Sequence, residues 1–174
     1  LSAATVAGKI GIEHKIIAQA LSKVSAAFGR MEKIKIVNKN VAILLVKNPT
    51  GFNQSLETLT FDKNKKNLLL LLNDQFADGT DISWIWDAEL EIIKDLADKI
   101  VVSGIRAEDM FLRLKYGLFD LANVAIEKDL GKALDTALAE TKAGDTLYVL
   151  PTYTAMLDFR KLLKSRGFIE GLLE

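Results

Sequence analysis

Five consecutive leucines, Leu68 to Leu72, complete the run NLLLLL at 67–72. Successive side chains of a strand point to opposite faces. A strand with no polar alternation must therefore be covered on both faces, as in a parallel sheet with helices on either side. The other apolar runs agree. KIKIV (33–37), VAILLV (41–46), KIVVS (99–103), NVAI (123–126) and TLYVL (146–150) read as strands. Helical periodicity fills most of the intervals, at 52–59, 87–96, 106–116, 129–140 and 153–165. The runs at 33–37 and 41–46 are separated only by a turn at Asn38–Asn40, which predicts an opening hairpin. Thereafter strand and helix alternate. The expected fold class is α/β: a mainly parallel, twisted sheet with helices on both faces, opening with a short hairpin.

The length of 174 residues suits one domain with a flanking segment. Lys plus Arg balances Asp plus Glu at 23 each, so no basic footprint for nucleic acid exists. No cysteine is present, which excludes disulfides, thiolate metal sites and a cysteine nucleophile. His14 is the single histidine, and it reads as a solvated helix residue. No apolar run reaches the roughly 18 residues of a membrane span, and no signal peptide is visible. The expectation is a soluble cytoplasmic domain.

Residues 1–28 differ from the rest. They are Ala-rich and amphipathic, with Gly8 and Gly11 separating an earlier helix from a later one. They read as the helical tail of a preceding domain, with 29–32 (GRME) as hinge and 33–174 as the domain proper. The first residue is Leu1 rather than Met, so the chain reads as a fragment.

Ligands of open α/β sheets bind beyond the carboxyl ends of the strands. The unusual polar residues follow those ends. Lys47-Asn48-Pro49-Thr50-Gly51 follows the second strand, NDQFADGTD follows the leucine run, GIRAED follows 99–103 and PTYT follows 146–150. Each has a plain reading beside the functional one. Pro49-Thr50-Gly51 fits a helix start. Asp78-Gly79 fits turn chemistry, Asp74 a strand-end polar residue and Ser83 a helix cap. Arg30 reads as a linker charge or a nucleotide contact at the hinge. Asp78 and Asp81 lack the ligand spacing of a calcium loop, and no metal site is assigned. Trp84 and Trp86, beside four aspartates, suggest a binding surface. Neither a G-x-x-x-x-G-K-[ST] loop nor a G-x-G-x-x-G loop occurs, so this segment alone carries no usual device for ATP or NAD.

Together these pieces resemble the C-terminal part of a Mur ligase, a Rossmann-like domain. AFGRME resembles the hinge motif, and ILLVKNPTGFNQSLE the strand–loop–helix that in ordinary Mur ligases reads roughly D-Y-A-H-N-P-D. Leu44 stands at the Asp position and Lys47 at the His position, while Asn48-Pro49 is kept. A leucine cannot accept a hydrogen bond from a nucleotide ribose. The motifs KNPTGFNQSL, NDQFADGTDISWIWDAELE, VVSGIRAEDMFLRLKY and LPTYTAML, in that order, are similar to the MurT family, ligase subunits of lipid II isoglutaminyl synthases. The resemblance implies ATP- and Mg2+-dependent amidation of the D-glutamate α-carboxyl of the lipid II stem peptide. ATP and Mg2+ would be bound mainly upstream. Ammonia would come from a GatD-type glutaminase partner, which a cysteine-free chain cannot be. The site of action would be the inner face of the membrane. The resemblance also implies that Asp81, second Asp of D-G-x-D, is catalytic and faces the glutaminase. Arg30, Lys47 and Asn48 would serve nucleotide binding or domain closure. Asp74, Asp78, Trp84 and Trp86 would form a partner or substrate loop. A conventional amino-acid-adding Mur or folylpolyglutamate ligase, or a docking module without chemistry, are the alternative readings.

Overall fold

The computed structural model describes residues 2–22 and 30–171; the side chain of Arg30 lies outside it, as do residues 23–29 of the expected tail and hinge. Helices α1 (Ser2–Lys9) and α2 (His14–Ser22) form the amino-terminal segment. The break falls at Gly11, at φ +87, whereas Gly8 stays inside α1. His14 opens α2 and is exposed.

A six-stranded sheet follows, in spatial order β1-β2-β6-β3-β4-β5. Strand β1 (Arg30–Ile36) pairs antiparallel with β2 (Lys39–Leu44), and Ile36 faces Lys39, so the turn is only Val37-Asn38. All other pairings among β2, β3 (Lys66–Leu71), β4 (Ala97–Ser103), β5 (Val124–Ile126) and β6 (Thr146–Pro151) are parallel. Helices α3 (Pro49–Thr60), α4 (Ala107–Tyr116), α5 (Leu130–Glu140) and α6 (Tyr153–Ser165) connect or follow the strands.

The leucine run shows why both faces are covered. Leu68, Leu70 and Leu72 join Phe52, Leu56 and Leu59 of α3 and Met110 and Leu114 of α4 in one core. Leu69 and Leu71 point the other way, among Ala133 and Leu134 of α5 and Met156 and Phe159 of α6. Every residue of β3 is buried. Beneath α6, the guanidinium of Arg160 is fully buried and paired with Glu32 of β1. This pair ties the hinge-proximal strand to the body of the domain. Just before Glu32 the strand register shifts, with Met31 at φ +60.

One expected helix is absent. Residues 87–96 instead hold the end of one short 3-10 turn, Ser83–Asp87, and the whole of a second, Leu90–Ile93. An α-helix over 87–96 would bond the amide of Ile92 to the carbonyl of Ala88. Here that carbonyl accepts from Arg113 Nη2 of α4 at 2.6 Å, and the Ile92 amide turns to the nearer Glu89 carbonyl at 3.1 Å. The Glu89 amide donates to Asn53 Oδ1 of α3 at 2.8 Å, and the Ile85 carbonyl accepts from Arg113 Nε at 3.0 Å. The backbone of this stretch is thus bonded to neighbouring helices. Ser83 caps no helix with its side chain.

Gly104, immediately after β4, sits at φ +97, where a Cβ would lie 2.5 Å from the Leu72 carbonyl oxygen. Gly104→Ala therefore combines left-handed backbone with a backbone clash, and should lower unfolding free energy by roughly 1–3 kcal/mol in urea melts. Gly144→Ala, at φ +84 with open space around it, should cost less in the same experiment.

Candidate functional site at the carboxyl edge of the sheet

The carboxyl ends of β2, β6, β3 and β4 lie side by side, and each is followed by one of the polar segments. After β2, Asn48 is the N-cap of α3, with Oδ1 accepting from the Gly51 amide at 2.8 Å and Pro49 in the first turn. This is standard N-cap chemistry. A cleft of about 650 Å³ opens here, lined by Met31, Leu44, Lys47, Asn48, Gln54 and Ser55. Lys47 is exposed and is the cation of the cleft. Leu44 is buried and offers no acceptor. The cleft suits the edge of a ligand held elsewhere, with a positive charge at its rim.

Beyond β3, Asn73 is buried and joins three strand ends. Its amide donates to Thr152 Oγ1, its Nδ2 donates to Thr154 Oγ1, and its Oδ1 accepts from the Ile105 amide, each at 3.0 Å. Asp78 is buried beside it and accepts from the Thr154 amide at 2.8 Å, from the Thr154 hydroxyl, and from the Gln75 amide at 3.1 Å. It closes the 75–79 turn, in which Gly79 takes φ +90, and also docks that turn on the start of α6. Asp74 pairs with Arg106 Nη1 at 2.7 Å, and Arg106 Nε pairs with Asp109 at the same distance.

Asp81 is exposed, and its Oδ1 accepts from the Ser83 amide at 2.8 Å. That backbone bond holds its carboxyl below the usual range. The two tryptophans diverge. Trp84 is half-buried edge-on against Phe52, with ring centroids 6.0 Å apart. Trp86 is 50% exposed and packs on Tyr116 at 5.8 Å, with the Arg113 guanidinium 5.8 Å from its ring centre. The structure therefore gathers Asp74, Asp78, Asp81, Trp84 and Trp86 on one loop, and sets Lys47 and Asn48 on another at the same edge. Sequence reasoning missed Asn73, Arg106, Arg113, Tyr116 and Thr154. An Asn directly after five leucines, and an Arg within the buried stripe of a helix, were the available signals.

The sequence profile described as MurT ligase C-terminal matches residues 45–156. The chain belongs to the MurT ligase C-terminal family. It is 36% identical over 170 residues to the lipid II isoglutaminyl synthase (glutamine-hydrolyzing) subunit MurT of Streptococcus pneumoniae, covering 97% of this chain and 38% of that protein. The Staphylococcus aureus subunit of the same name is 36% identical over 172 residues, covering 98% and 38%. The chain thus spans little more than a third of these relatives. Among solved structures, MurF ligase from Thermotoga maritima in complex with ADP superposes with TM-score 0.63 at 17% identity, over 93% of this chain and 37% of that one. Escherichia coli FolC with DHPP and ADP gives 0.59 at 18%, over 89% and 35%. These two likenesses establish the Mur ligase-like fold of this MurT-type domain.

Two measurements check the loop. Asp78→Asn places an amide donor either against the Thr154 amide or against the Gln75 amide and the Thr154 hydroxyl together, and should cost roughly 1–3 kcal/mol of stability. Asp81→Asn keeps its acceptor and should change stability by under about 0.5 kcal/mol. Glu91 is held below the ordinary glutamate range by hydrogen bonds from Arg113, against a smaller opposing effect of burial. A depressed carboxylate stabilises the fold above its unfolded-state pKa, and that contribution fades as pH falls through the lower folded value. Carboxyl-carbon NMR titration should place the Glu91 midpoint below the ordinary glutamate value. Arg113→Met should return it toward the ordinary value.

Proposed function

We propose that this domain is the C-terminal part of an ATP-dependent carbon–nitrogen ligase subunit that amidates the D-glutamate α-carboxyl of the lipid II stem peptide. The nitrogen comes as ammonia from a GatD-type glutaminase partner. The observation that carries the reading is the 36% identity to two MurT subunits over nearly the whole chain, joined to an acidic and aromatic loop at the sheet edge. By itself the domain should turn over no ATP, because it carries no phosphate loop of the usual form.

When bound, ATP would supply the phosphoryl group that activates the carboxylate, and Mg2+ would neutralise its phosphates. This chain's residues fit only the periphery of that group. Lys47 brings one positive charge to the cleft beside β2, while Asn48 spends its carboxamide oxygen on the α3 cap. Arg30, in the hinge-proximal strand, joins them in closing the domain over nucleotide. A guanidinium suits a phosphate or ribose edge.

Asp81 faces the glutaminase. Its carboxylate is exposed, ionised and fixed by the Ser83 amide. A fixed carboxylate orients and charges a histidine in nucleophile–histidine–acid sets. This chain lacks the cysteine, so the partner supplies both cysteine and histidine. Trp86 gives the same loop an apolar contact beside the charge, and Trp84 and Asp74 help hold the loop in place. The enzyme works in the cytoplasm at the inner membrane face, and among the described residues no helix is long and apolar enough to cross a membrane.

The test uses the full-length subunit with its glutaminase and lipid II. Asp81→Asn should leave complex formation intact and reduce glutamine-driven amidation by about 100-fold or more, as expected for loss of a group orienting a catalytic histidine. Supplied ammonium should restore amidation. If ammonium fails as well, Asp81 acts in the ligase step. Full activity with glutamine would remove it from the catalytic set.

A further inference from the structure

The irregular shape of the 81–93 segment depends on one side chain outside it. Arg113 lies in the last turn of α4 and is only 5% exposed. Nε donates to the Ile85 carbonyl at 3.0 Å and Nη2 to the Ala88 carbonyl at 2.6 Å. Nη1 and Nη2 also reach the two carboxylate oxygens of Glu91, at 2.7 and 2.9 Å. The guanidinium thus fastens the middle of the first 3-10 turn, the residue that ends it, and the start of the second. Trp86 lies between the two bonded carbonyls and packs over the same guanidinium. Space for the ion pair is left by Gly117, where a Cβ would come within 2.9 Å of Arg113 Nη1 and 3.0 Å of Glu91 Oε1. A lysine, with a single point charge, could not reach four acceptors at once.

We propose that Arg113 is the positioning residue of the glutaminase-facing surface. It suppresses the helix that the 87–96 pattern would otherwise form, and so holds Trp86 against Tyr116 with Asp81 two residues ahead of the same turn. This rests on the functional reading above, and deepens it by naming what sets the geometry of the loop. Arg113 itself meets neither substrate nor partner. Its effect passes through the loop, so it should govern the glutamine-driven reaction and spare the ligase step.

The experiment uses the full-length subunit, its glutaminase and lipid II, with Arg113→Met, Arg113→Lys and the milder Glu91→Gln. Amide hydrogen exchange followed by mass spectrometry reads the loop directly, and amidation is measured with glutamine and with ammonium. In Arg113→Met, exchange across 83–93 should rise by about tenfold or more, while β3 and α5 keep their protection. Glutamine-driven kcat/KM should fall by about tenfold or more, with the ammonium-driven rate within about twofold of wild type, a split that loss of stability alone does not produce. Arg113→Lys should restore little of either. If Arg113→Met does not fold, Glu91→Gln carries the test, since it keeps both carbonyl bonds and should show the same split at smaller size. Equal loss with both nitrogen sources overturns the proposal. So does an unchanged exchange pattern, or a loosened loop with glutamine-driven activity intact. A wild-type pair inactive with either source overturns the functional reading, and the positioning role falls with it.

Discussion

The buried carboxamide of Asn73 is the interaction on which the working edge depends. Three parallel strands, β6, β3 and β4, end beside one another, and their chains must leave in different directions. Parallel ladders satisfy the strands only as far as their last paired residues. Asn73 supplies the next bonds to both neighbouring segments: its side-chain oxygen takes the Ile105 amide after β4, while its side-chain and backbone amides reach the Thr154 and Thr152 hydroxyls after β6. Thr154 passes its own proton on to Asp78, so these donors and acceptors form a directed chain. Such a network in a low-dielectric setting is costly when incomplete and rigid when complete. It also explains Gly104, whose missing Cβ lets the β4 exit approach the Leu72 carbonyl and the Asn73 side chain.

The layered fold was legible because its signals are local. Leu68 to Leu72 demand cover on both faces whatever the rest of the chain does, and all six strand runs and four of five helical patterns formed near their expected limits. The exception, 87–96, marks where local pattern loses to long-range bonding. Ile85, Ala88, Leu90 and Ile93 are all buried, as an amphipathic helix would have them. Yet Arg113, 25 residues away in sequence, holds the Ala88 carbonyl that such a helix would pair with the Ile92 amide, and Asn53, 36 residues away, holds the Glu89 amide. No periodicity window contains that information.

The site was legible in residue type and less so in assignment. The acids and tryptophans after the leucine run do share one loop, but they divide their tasks. Asp74 is neutralised by Arg106, and Asp78 is turned inward onto α6. A turn signature such as Asp78-Gly79 predicts the local bond correctly and is silent about the Thr154 bonds, whose partner lies 76 residues away. Trp84 and Trp86 read alike in sequence and separate in space because a 3-10 turn sends alternate residues to different neighbours, Phe52 of α3 and Tyr116 of α4.

Asp81 is then the aspartate of the three that remains exposed with neither a cation nor a buried bond to hold it. Its single local bond, from the Ser83 amide, favours the ionised form. That choice limits the chemistry. A carboxylate stabilised as an anion is a weak proton acceptor near neutral pH, so it is unsuited to general-base work. It is suited to holding a neighbouring imidazolium by charge and orientation, where the proton stays on the histidine. Orientation is a matter of tenths of an ångström, and an exposed loop of two short 3-10 turns has little intrinsic rigidity. The rigidity comes from beneath: Asp78 fixes the loop's entry on α6, Asn53 and Arg113 fix its middle on α3 and α4. The exposed carboxylate is as well placed as those buried bonds make it, which is why the residues that define this surface are mostly ones that a partner would never touch.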